Sequence, residues 1–126
     1  MQTSSSPKHF SFRARANSFR FATAGIYRFF AQEHNAWIHL FTTIMVFISA
    51  WCLKVSRHEL VLLIIVSGFV WVAEIFNTAI EKTMDFIEPR YNTGVEVIKD
   101  LAAAAVLVAA FIALATGAFI FIPKFL

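Results

Sequence analysis

The chain has 126 residues, enough for one domain, and 59% of them are hydrophobic against 15% charged, with a mean hydropathy of +0.68. That balance excludes an ordinary soluble domain of this size, which needs more charge to cover its surface, and it points to a bilayer as solvent. The net charge of +3 fits membrane topology and anionic headgroups rather than nucleic-acid binding.

The polar start reads as a disordered tail over residues 1–9, with one membrane domain over 10–126. No apolar h-region follows the basic residues, so no cleavable signal is expected. Over 12–32, Phe12, Ala16, Phe19, Thr23, Ile26 and Phe30 recur at steps of three and four and share one helical face. Arg13, Arg20 and Arg28 fall off that stripe. The pattern predicts an amphipathic interfacial helix, apolar side down and arginines toward headgroups. Packing of the same stripe on a helical bundle is equally compatible with it.

Three transmembrane helices follow, at about 35–53, 60–86 and 95–122. Residues 36–53 and 101–122 contain no Asp, Glu, Lys or Arg, and a span needs roughly 20 residues. The run 60–73 is too short to span alone, so its helix must continue into the acidic stretch EIFNTAIEKTMD, residues 74–85. The single cysteine, Cys52, lies within an apolar run and reads as a small buried residue without disulfide or metal partners. The turn KVSRHE joins the first two spans, and IEPRYNTGVEVIKD, with Pro89 and Gly94 as punctuation, joins the second and third. Lys and Arg divide eight against three in favour of the N-terminal segment and the second connection. That asymmetry predicts a cytoplasmic N-terminus and places the acidic stretch at the cytoplasmic end of the second span.

At about 100° per residue, Glu74, Asn77, Glu81, Asp85 and Glu88 fall within an arc of roughly 80°. They form one polar stripe on an otherwise apolar helix. A charge at the bilayer centre costs at least ~2.5 kcal/mol, so such groups are used or paired. Glu74 lies deepest; Glu88 reads as a solvated helix end. Glu33 precedes the first span and Lys99 with Asp100 opens the third, so both can join the stripe. Carboxylate oxygens suit Mg²⁺ bridging phosphates, a lysine suits phosphate, and a deep carboxylate suits proton abstraction from a hydroxyl. That set is sufficient for phosphoryl transfer, although no Gly-rich phosphate loop is present. A proton or cation relay uses the same groups, as does a structural network pairing the carboxylates with Lys99 or Arg28. Spacing alone leaves these three readings open.

EIFNTAIEKTMD resembles the signature of the prokaryotic integral-membrane diacylglycerol kinases, Glu-x-x-Asn-x-Ala-Ile-Glu-x-x-x-Asp. KDLAAAAVL, residues 99–107, resembles the run that opens that family's third span. EHNAWIHL, residues 33–40, resembles the approach to the first span in its undecaprenol kinase branch. The resemblance covers the chain from about Phe10 to Leu126. It implies a homotrimeric bundle in the bacterial cytoplasmic (inner) membrane, with active sites shared between subunits. It also implies ATP- and Mg²⁺-dependent phosphorylation of a membrane lipid alcohol, a reaction of phospholipid metabolism. Diacylglycerol would become phosphatidic acid; alternatively, undecaprenol would become undecaprenyl phosphate.

The resemblance also implies roles for individual residues. Glu74 would be the general base and contact the lipid hydroxyl, with Ala103 beside the lipid. Glu33 and Glu81 would hold the metal with the phosphates. Asn77, Asp85, Lys99 and Asp100 would support the nucleotide, with Arg90, Tyr91 and Asn92 along it. An arginine of the front helix, Arg13 or Arg15, would match the family's front arginine. One departure stands out: Ala102 to Ala105 are four alanines where parts of the family have Gly or Ser. Close helix approach is kept, but any hydroxyl contact to substrate from this run is lost.

Overall fold

The structure, a computed structural model, describes residues 11–126; the tail expected over 1–9 lies outside the described residues. Four α-helices follow in order: α1 (Phe12–Gln32), α2 (His34–Cys52), α3 (Arg57–Ile87) and α4 (Thr93–Phe121), ending in a 3₁₀ turn at Ile122–Lys124. No strand occurs among the described residues. Three of the helices, α2, α3 and α4, are long and apolar enough to cross a membrane. The chain is therefore an all-α membrane protein. It divides into two compact units, one ending at Gln32 and the other Glu33–Leu126.

In the first unit, α1 leaves Phe12, Phe19 and Ile26 of its apolar stripe exposed, and the Arg20 guanidinium lies 5.6 Å from the centre of the Phe21 ring. Glu33 opens the second unit in an extended conformation, with φ −114° and ψ 117°, and begins α2 as its N-cap residue.

In that second unit, helix ends are closed by local chemistry. At the end of α2, Lys54 takes a left-handed φ of 50°, so that its N–H reaches Trp51 O and the next N–H reaches Ala50 O. The two bonds satisfy carbonyls that the helix leaves unpaired, in a position Gly would occupy with less strain. A capping box starts α3: Ser56 Oγ accepts from Glu59 N–H at 3.3 Å, and Glu59 Oε2 accepts from Ser56 N–H at 2.6 Å. Lys124 also donates to Glu59 at 3.1 Å, tying the end of α4 to the start of α3. Asn92 caps α4 through Oδ1, which accepts from Gly94 and Val95 N–H. A Cβ at Gly94 would stand 3.1 Å from that oxygen, so glycine gives the cap its room.

The helices pack chiefly as an α3–α4 pair, with α2 touching α3 more sparsely. The buried core of this unit centres on Ala50, Leu63 and Ile120, backed by Val46, Val55 and Phe121. Those residues lie at the end of the bundle away from the acidic stretch. Most other large apolar side chains are exposed, including Phe76, Phe111, Leu114 and Phe119. A single chain has too few neighbours to cover them, as suits a protein whose solvent is acyl chains. Cys52 departs from the expected burial: it is exposed, as the last residue of α2. Glu88 also departs from the helical stripe. It is the C-cap of α3, in an extended conformation, so the α-helical face ends before it.

Candidate active site

The acidic stretch lies on α3, which runs unbroken from the apolar half into the polar half of the sequence. Burial falls along it toward the α3–α4 connection. Glu74 is 3% exposed and Asn77 is 9% exposed; Glu81 is half-buried and Asp85 is exposed. A buried carboxylate at this depth demands a polar neighbour, because an unpaired charge in an apolar medium is costly. The neighbour is His39 on α2, whose Nε2 stands 3.7 Å from Glu74 Oε2.

One helical turn toward the connection, Asn77 Nδ2 donates to Glu81 Oε1 at 3.0 Å. The other amide atom, Asn77 Oδ1, is buried without a hydrogen-bond partner. A buried acceptor in that state calls for a donor or a cation. Beyond it, two lysines meet two carboxylates. Lys82 pairs with Glu33 at 2.8 Å, joining α3 to the start of α2. Lys99 of α4 pairs with Asp85 of α3. The structural pairing considered for Lys99 is thus present, and it engages the outermost acid of the helical stripe rather than the deep one.

The α3–α4 connection carries its own ties. Arg90 lies beside Glu88, its backbone N–H 3.3 Å and its Nε 3.7 Å from the carboxylate. The Tyr91 hydroxyl donates to Glu96 at 2.8 Å, which holds the phenol above its ordinary pKa of 10.0. Asn92 commits its side-chain oxygen to the cap of α4. Asp100 and Ala103 on α4 are exposed. Arg13 and Arg15 lie on α1, in the other unit.

Three participants are not members of the stripe. Lys82 falls off it on a helical wheel, yet its long side chain reaches Glu33. Glu96 is the acid that restrains Tyr91. His39 is visible in the sequence as an ionisable residue within an apolar span, and that alone marks it; only the packing of α2 on α3 names Glu74 as its partner.

For Mg²⁺, which the sequence resemblance implies, the stretch offers oxygen atoms of the right kind. The available atoms are carboxylate and amide oxygens, the ligands a hard cation prefers, and Asn77 Oδ1 is an oxygen in want of a partner. No three of His, Cys, Asp and Glu converge among the described residues. Glu33 is paired with Lys82, and Glu81 accepts from Asn77; Mg²⁺ commonly binds through one or two carboxylates plus substrate phosphates.

A second feature lies beside His39. A cavity of about 600 Å³ opens between α2, α3 and α4, lined by apolar side chains with Thr42, Thr43 and Ser67 among them. His39 borders it.

The sequence matches known proteins over most of its length. The family model for prokaryotic diacylglycerol kinase matches residues 20–121. A diacylglycerol kinase of Synechocystis sp. is 36% identical over 110 residues, which is 86% of this chain and 63% of that protein. The chain therefore spans slightly less than two thirds of that relative. An undecaprenol kinase of Bacillus subtilis is 34% identical over 107 residues, 85% of this chain and 87% of the relative. Together with three long apolar helices among the described residues, these matches show that the chain belongs to the prokaryotic diacylglycerol kinase family, a family of membrane lipid kinases.

Proposed function

We propose that this chain transfers the γ-phosphoryl group of ATP to the hydroxyl of a membrane lipid alcohol at the cytoplasmic face of the bacterial inner membrane. The observation that carries the proposal is the burial gradient along α3: a carboxylate 3% exposed at Glu74, then Asn77 and Glu81, then the exposed Asp85 paired with Lys99. An alcohol whose chains lie in the bilayer arrives laterally and meets the deep carboxylate. A nucleotide arrives from water and meets the outer groups.

In this reading Glu74 accepts the hydroxyl proton as the lipid oxygen forms its bond to the γ-phosphorus and the bond from that phosphorus to the ADP oxygen breaks. Glu33 and Glu81 would hold Mg²⁺, which would neutralise phosphate charge. Lys99 turns from Asp85 toward phosphate, and Lys82 releases Glu33 as the nucleotide binds. Asn77, Asp85 and Asp100 support the nucleotide, and Arg90, Tyr91 and Asn92 border it. Ala103 lies beside the lipid. The active unit is a homotrimer, which would cover the apolar surfaces a single chain leaves exposed.

The acceptor assigned is diacylglycerol, giving phosphatidic acid. Undecaprenol is the second reading, supported by the run EHNAWIHL and by the match over most of the Bacillus subtilis undecaprenol kinase. Purified chain in mixed micelles with γ-labelled ATP, Mg²⁺ and each lipid separately tests both. Labelled phosphatidic acid supports the first acceptor and labelled undecaprenyl phosphate the second. Transfer to neither by a folded protein overturns the kinase reading and leaves the acidic stripe to an ion relay.

A further inference from the structure

Four side chains clamp α2 to α3 around the deep carboxylate. His39 and Thr43 stand one turn apart on α2; Trp71 and Glu74 stand three residues apart on α3, so each pair shares a helix face. The Trp71 indole N–H donates to Thr43 Oγ1 at 3.0 Å. The same indole lies against the imidazole, with ring centres 6.2 Å apart and planes 60° apart. Helix register and ring packing together place His39 Nε2 at 3.7 Å from Glu74 Oε2.

A general base must be oriented as well as buried. A carboxylate on a flexible glutamate has several rotamers and two oxygens, and a partner that holds one oxygen leaves the other aimed at the substrate. His39 is placed for that work. It faces a carboxylate that is 3% exposed, its own side chain is 23% exposed, and it borders the apolar cavity between the helices. The present separation exceeds a hydrogen bond by roughly 0.5 Å, an adjustment of the kind that catalytic hydrogen bonds commonly make when substrate binds.

We infer that His39 is a positioning residue that donates from Nε2 to Glu74 Oε2 and so fixes the carboxylate for proton abstraction. The inference rests on Glu74 as the base. Its test separates the two claims by using different variants. Kinase rates are measured on the full chain in mixed micelles with γ-labelled ATP, using the lipid that the wild type phosphorylates. His39→Leu removes the donor and should lower kcat about 10- to 100-fold, the scale on which loss of an orienting partner is felt at other sites, with KM for ATP within about twofold of wild type. His39→Gln puts an amide N–H near the position of Nε2 and should recover to within about threefold of the wild-type rate, whereas the shorter His39→Asn should not. In a Glu74→Gln background, His39→Leu should cause no further loss, because its effect acts through the carboxylate.

Wild-type kcat in His39→Leu overturns the inference, as does a glutamine variant no better than asparagine, or a loss confined to KM. Should His39→Leu fail to fold, the glutamine and asparagine variants decide the matter alone, each checked by its melting temperature. Wild-type turnover in Glu74→Gln instead removes the base assignment, and a wild-type chain without transfer removes the kinase reading, each taking this inference with it.

Discussion

Replacing Glu74 by glutamine is the sharpest perturbation of the proposed site. The side chain is 3% exposed, so the replacement must fit the space it leaves, and glutamine differs by only one heteroatom. The amide can still meet His39, so the α2–α3 packing around Trp71 and Thr43 stays intact. What disappears is the ability to take a proton. Loss of a general base costs about 10²- to 10⁴-fold in rate, equivalent to roughly 3–5 kcal/mol of transition-state free energy. Nucleotide affinity should not follow, because the nucleotide groups assigned above begin at Asn77 and continue outward. Stability should hold or rise slightly, since a buried ionisable group has been replaced by a neutral one. Three measurements together give the result: γ-labelled phosphate transfer in micelles, equilibrium binding of a fluorescent ATP analogue, and thermal unfolding in the same detergent. A rate within about threefold of wild type would refute the base assignment. A parallel loss of nucleotide binding would refute the division between a deep base and an outer nucleotide site.

Other expectations reach further along the fold. Glu81→Gln should raise the Mg²⁺ concentration needed for half-maximal transfer, and unchanged Mg²⁺ dependence would count against Glu81 as a metal ligand. Leu63→Ala opens a space in the core beside Ala50 and Ile120, where Leu63 is 2% exposed, and should cost about 2–5 kcal/mol; an unchanged unfolding temperature in detergent would contradict that packing. The Tyr91 phenol is raised above 10.0 because its proton is held by Glu96. The stabilisation from that bond is fully present below the ordinary pKa of 10.0 and is lost as pH rises through the higher folded value. In a Tyr27→Phe background, ultraviolet titration should show one phenol ionising late, and Glu96→Gln should bring it earlier.

Much of the fold follows from hydropathy alone. Lipid solvates no backbone polar group, so long apolar runs become helices, and three such helices are present among the described residues. The continuation of the second span into the acidic stretch is legible because 60–73 is too short to cross by itself, and α3 does run on to Ile87. The end of that stripe is less legible. Glu88 keeps the helical period in the sequence but leaves the helix, with Pro89 next in line, a residue that disfavours helical geometry in the one before it. The burial expected of Cys52 fails because apolar surroundings in a membrane need not be protein.

Periodicity acts along one helix, so the spacing of Glu74, Asn77, Glu81 and Asp85 is enough to group them on one face. Partnerships between helices have no such local signal. That Lys82 meets Glu33, that Lys99 meets Asp85, and that His39 faces Glu74 across a Trp71–Thr43 bond all depend on how α2, α3 and α4 are set against one another. Residues 35 positions apart in the chain, such as His39 and Glu74, become neighbours only through that packing. Sequence chemistry supplied the acids and their order of depth; the angle and register of the helices chose which base or cation stands beside each one.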